Sequence, residues 1–60
     1  MAYELNSDEE KTLNNLSREE IVSALEGYGF ACYESESTSE LRSALRENIE
    51  DGTIEPSSIL

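Results

Sequence analysis

Leu16-Ser17-Arg18-Glu19-Glu20-Ile21-Val22-Ser23-Ala24-Leu25-Glu26-Gly27-Tyr28-Gly29-Phe30 is the stretch whose reading decides the fold. Ser17-Arg18-Glu19-Glu20 is a capping box. The Ser17 hydroxyl can accept from the amide of Glu20, and the Glu20 carboxylate can accept from the amide of Ser17. Leu16 before the box and Ile21 after the first turn can close a hydrophobic staple. Ile21, Ala24, Leu25 and Tyr28 then repeat at i, i+3, i+4 and i+7, the spacing of one helix face. Gly29 can end the helix in the left-handed region, with Phe30 folding back onto Leu25. The spacing predicts a helix over 18–28.

The same chemistry recurs further along. Ser37-Thr38-Ser39-Glu40 is a second box, followed by the stripe Leu41, Ala44, Leu45 and Ile49 and by a stop at Gly52, which predicts a helix over 38–50. Acids in its last turn (Glu47, Glu50, Asp51) oppose the helix dipole, so its end is expected to fray. Ser7-Asp8-Glu9-Glu10 is a third box, and with Leu13 and Leu16 it predicts a short helical turn over 8–15. The intervals between boxes differ, so they do not form a repeat. Residues 30–36 lack a helical stripe and read as an extended connector, with Phe30, Cys32 and Tyr33 able to tuck under the helices. Residues 52–60, with Pro56 and two serines, read as an extended or disordered tail on which Ile54 can dock. The expected fold class is all-α: a helix–extended loop–helix module with a short N-terminal helical turn, one domain spanning 1–60, compact over about 8–51.

Sixty residues allow one small, marginal core. The large apolar side chains are too few to order the whole chain alone, so a compact middle with frayed ends, or support from a partner or a second copy in a homodimer, is expected. Fourteen acids against four bases give a net charge of −10. Such a balance opposes contact with phosphates and lipid surfaces and favours a basic partner. Cys32 is the single cysteine, so no intrachain disulfide forms, and its neighbours include no activating base. No apolar run is long enough for a signal peptide or a membrane span. With Met1 in first position, the expectation is a complete small cytoplasmic protein.

Leu16-Ser17, Glu20-Ile21, Leu25, Gly29-Phe30, Glu40-Leu41 and Leu45 together resemble the helix–extended–helix superfamily that includes SAP and LEM domains, over about residues 16–45. The connector is about two residues longer than in a typical SAP domain and about one shorter than in LEM domains. The resemblance implies two helices across an extended connector. It also implies one of two functions: DNA binding, as in SAP domains, or protein binding, as in LEM domains. SAP domains carry a lysine in the connector. Here that region reads Glu34-Ser35-Glu36-Ser37-Thr38-Ser39-Glu40, with no base before Arg42. Its carboxylates repel a duplex bearing about one charge per 1.7 Å, and Arg42 and Arg46 are too few to reverse that.

Other chemistries fail on their residues. Asp51-Gly52-Thr53-Ile54 resembles the centre of a calcium loop, but the third and twelfth positions would be Ile49 and Ser58, which supply no carboxylate. The chain has no histidine, which removes the commonest acid–base group and most transition-metal sites. Cys32 has no base for a nucleophilic dyad. The sequence therefore points to a non-enzymatic acidic interaction module without cofactor or metal, a regulator or inhibitor that meets a basic surface of a partner protein. The alternative is a phage-type nucleic-acid mimic that blocks a DNA-binding protein, and the third reading is the SAP-like DNA binder. The candidate contact is Tyr33, Glu34, Glu36 and Glu40 with Phe30, an aromatic anchor rimmed by charge. Phe30 is expected to serve mainly the core, while the Tyr33 hydroxyl favours an edge position. The Arg42 and Arg46 face and the tail are the fallback surfaces.

Overall fold

A computed structural model describes residues 3–60. Three α-helices follow in order: α1 over Ser7–Asn15, α2 over Arg18–Gly27 and α3 over Thr38–Glu50, with a 3-10 turn at Pro56–Ser58. There is no β-strand among the described residues. The fold is all-α.

Each helix opens with a closed capping box. Ser17 and Glu20 exchange bonds at α2 (2.9 and 3.2 Å), and Ser37 and Glu40 do so at α3 (3.0 and 3.1 Å). At α1 the box lies one residue earlier than the serine reading places it. Asn6 is the N-cap and pairs with Glu9, while Ser7 is the first helical residue. Asparagine caps as well as serine, and both registers place a glutamate three positions after the cap; here Glu9 closes the box while Glu10 pairs with Arg46. The short turn expected over 8–15 is accordingly a full helix of nine residues.

Helix ends are equally determined. Gly29 has φ +90°. Its N–H donates to the Glu26 carbonyl (2.9 Å) and the Phe30 N–H to the Leu25 carbonyl (3.0 Å), a Schellman motif. Gly52 ends α3 with φ +87°. The fraying expected at α3 does not occur, because its terminal carbonyls are all engaged. Glu47 accepts from Asp51, Asn48 from Ile54, Ile49 from Gly52, and Glu50 from Tyr3. Sequence could not announce the Tyr3 and Ile54 donors, since both arrive from beyond the helix.

The core consists of Leu13 from α1, Ile21 and Leu25 from α2, Leu41, Leu45 and Ile49 from α3, and Ile54. These are the apolar stripes read from the sequence, except that Tyr28 leaves the α2 stripe and stands 42% exposed. Helix α3 is central, with α2 and α1 both packed on it. The tail folds back on the helices rather than running extended. Ile54 is fully buried, Pro56 starts the 3-10 turn, and Ile59 and Leu60 return to the core. Proline fits the first position of such a turn because its φ is already set and no amide is needed there. The apolar pair at 59–60 supplies the burial that holds the turn down.

Candidate functional site

Three of the four bases, which any anionic ligand would need, are engaged within the molecule. Arg42 donates from Nε to the Leu13 carbonyl (3.2 Å) and from a terminal nitrogen to the Leu16 carbonyl (2.9 Å). It thereby caps the C-terminal end of α1, where no base lies in the helix's own last turn. A guanidinium fork suits two carbonyls at the negative end of a helix. Arg46 forms an ion pair with Glu10 on α1. That pair holds the Glu10 carboxyl below the usual carboxylate range and raises the Arg46 guanidinium further. Arg18 donates to the Tyr33 carbonyl (3.1 Å). The Arg42 and Arg46 face considered as a fallback is therefore an internal seam between α1 and α3.

Arg18 and Glu36 together build the connector's tip. Glu36 accepts from the Tyr33 N–H (2.9 Å), and its own N–H donates to the Tyr33 carbonyl (3.1 Å). Tyr33 is thus held at both backbone polar groups while its side chain stands 63% exposed, the most exposed large apolar side chain described. An anchor already fixed in place loses little entropy on binding.

The five residues proposed from sequence divide into distinct roles. Tyr33 and Glu34 are exposed and free to meet a partner. Phe30 is half-buried and packed against the core. Glu36 is half-buried and holds the turn. Glu40 closes the α3 capping box, and the Ser37 N–H, then the Ser37 hydroxyl, hold its carboxyl below the usual range. Glu36 and Glu40 nonetheless line one shallow groove of about 410 Å³ along the outside of α3, together with Ser39, Ser43 and Glu47. Glu47 was not among the sequence candidates. Its signal was present, because Glu40, Ser43 and Glu47 fall at i, i+3 and i+7 on one helix face.

Cys32 is half-buried, and its thiol is pushed up by burial and then by Glu26 and Glu36, against an opposing pull from Arg18. A thiol so placed is a poor nucleophile. No group of three or more potential metal ligands occurs among the described residues. No helix among the described residues is long and apolar enough to cross a membrane. What the molecule presents is an exposed Tyr33 whose backbone is held by Arg18 and Glu36, and a shallow acidic groove on α3 that Glu36 also lines. No protein-family model, no curated protein and no solved structure matches the chain.

Proposed function

We propose that the chain is a non-enzymatic acidic interaction module that binds a basic surface of a partner protein, with Tyr33 as its anchor. The observation that carries this reading is Tyr33 itself, its backbone fixed by Arg18 and Glu36 and its ring exposed beside Glu34 and the α3 groove. Aromatic side chains dominate binding hot spots, and surrounding charges add steering and register. The order α2, connector, α3 supports the resemblance to helix–extended–helix domains and, within it, the protein-binding branch. The DNA-binding branch loses its footing because Arg18, Arg42 and Arg46 are engaged internally.

Nucleic-acid mimicry is the second reading, and the molecule's 29 Å long axis is what favours it. A duplex of that length carries roughly 17 charges, against a net −10 on this chain. The charge density favours a protein partner that is basic without being a DNA groove. Affinity capture from the native host tests the reading, with wild-type, Tyr33→Ala and Glu34→Lys baits at low and high salt. The expected catch is a basic protein, weakened by both substitutions and by salt. A catch that duplex DNA displaces would favour the mimic. Tight binding of duplex DNA by the isolated protein would restore the DNA-binding function.

A further inference from the structure

Among the described residues, no element covers the outer face of α2. Leu16, Ala24, Tyr28 and Ile59 line an open groove of about 430 Å³, floored by Ser23 and Gly27 and bordered by Glu20. Its far wall is the tail, and that wall is tied by a closed ring of hydrogen bonds. The Tyr28 hydroxyl donates to Ser58 Oγ (3.0 Å), the Ser58 hydroxyl donates to the Glu55 carbonyl (2.7 Å), and the Glu55 N–H donates to the Tyr28 hydroxyl oxygen (3.4 Å).

Gly27 is a second, independent feature of this groove. It lies within α2, and a Cβ built there would meet nothing within 4 Å. Nothing in the chain's own packing therefore requires a glycine, although glycine inside a helix costs about 0.5–1 kcal/mol relative to alanine. With Ser23 and Ala24 it leaves a trough in which another backbone can approach closely. The surrounding charge is mostly acidic, with Arg18 beside Glu19 and Glu26 on the adjoining groove. Glu20 borders the groove, Glu19 and Glu26 line the adjoining shallow groove on the same helix, and Glu55 lies on the tail. No base lines the groove itself, and the guanidinium of Arg18, the base on α2, is bound to the Tyr33 carbonyl.

We infer that this groove receives one amphipathic, basic helix of a partner protein. The helix's apolar stripe lies on Leu16, Ala24 and Ile59, its backbone passes over Gly27, and its flanking Lys or Arg side chains meet Glu19, Glu20 and Glu26. This is the helix-in-groove mode of recognition. A second copy of the chain is disfavoured as occupant, since each copy carries a net −10. The inference rests on the reading of the chain as a partner-binding module. It adds a surface that shares no lining residue with the Tyr33 and α3 groove.

The test uses the full chain labelled with nitrogen-15. The probe is a synthetic peptide of about 18 residues, roughly five helical turns, with a Leu/Ala stripe and Lys elsewhere. A scrambled peptide of identical composition is the control. Saturable shift changes are expected at Ser23, Ala24, Gly27, Tyr28 and Ile59, with the scrambled peptide weaker by about tenfold or more. Gly27→Gln and, separately, Ser23→Gln should each weaken the stripe peptide by about tenfold while the spectrum stays dispersed. Changes centred on Tyr33, Glu34 and Glu47 would overturn the groove and leave the module reading standing. Equal binding of the two peptides would reduce the effect to bulk charge and overturn it. Absence of binding, or concentration-dependent shifts at the groove without peptide, would also overturn it, the last in favour of a second copy.

Discussion

Arg42 is the residue whose role changes most between sequence and structure. In the chain it looks like a surface base one turn from Arg46. In the fold it closes the end of α1 through the carbonyls of Leu13 and Leu16. Nothing local signals this, because the donor and its acceptors are 29 and 26 residues apart. Replacing Arg42 with Met should cost about 1.5–3 kcal/mol, the range for hydrogen bonds to charged groups, as read by denaturant unfolding. Amides of α1 should exchange faster than those of α2. Lysine should rescue little, since it lacks the fork; full rescue by Lys would mean that charge alone matters. Tyr33 makes the opposite case. Its exposure follows from its place at a connector tip, in keeping with the edge position expected for its hydroxyl and against its tucking under the helices with Phe30 and Cys32, and its backbone partners are insensitive to the side chain. Tyr33→Ala should therefore change stability by no more than about 0.5 kcal/mol. A large loss of stability would make Tyr33 a core residue in solution.

At the scale of elements, starts were more legible than ends. The boxes at Ser17 and Ser37 were readable because both partners lie within one turn, and Gly29 was readable because its φ of +90° favours glycine. The α1 start was displaced because Asn6 and Ser7 both cap well and each has a glutamate three positions on; Glu10 is engaged instead by Arg46, which lies far off in the chain. The α3 end at Glu50 with its stop at Gly52 was readable; the partners of its last carbonyls, Tyr3 and Ile54, and the return of residues 59–60 to the core were not, because they come from elsewhere in the chain. Ser17→Ala and Ser37→Ala should each cost about 1 kcal/mol in thermal or denaturant unfolding. The boxes also make stability depend on pH. Backbone N–H groups of Ser17 and Ser37, with their hydroxyls, hold Glu20 and Glu40 below the usual carboxylate range. Glu9 is lowered by the Tyr3 hydroxyl and then the Asn6 N–H, and Asp51 by the Thr53 hydroxyl and then its N–H. A folded pKa below the unfolded one contributes stability that is complete above the unfolded value of about 4.3 for Glu. That contribution is lost as pH falls through the lower folded value. Denaturation midpoints should therefore hold from neutral pH to about 5 and drop below about 4. The double variant Glu20→Gln, Glu40→Gln keeps the box geometry, since Gln also closes it, and should lose less stability in acid. An equal acid loss would show that the caps do not set the pH response.

At the scale of the whole molecule, the net −10 acts on a body of only 29 × 21 × 16 Å. Self-repulsion at that size opposes compactness, so raising salt from roughly 0.05 to 0.5 M should raise the melting temperature as screening tightens. A fall would mean that the Arg46–Glu10 pair outweighs the repulsion. Seven fully or nearly fully buried aliphatic side chains hold the fold, and Leu45→Ala at the centre of α3 should cost about 2–5 kcal/mol, enough to unfold much of a chain this small. The same charge that limits stability supplies the proposed function, and the anchor at Tyr33 is where that function is most exposed to test. A photoreactive benzoylphenylalanine placed at position 33, and as a control at the exposed position 11, can be irradiated in extract of the native host. The account predicts a discrete adduct with a basic protein from position 33, absent from position 11, lost at high salt and reduced by Glu34→Lys. The same adducts from both positions, or none from position 33 in the folded protein, would contradict it.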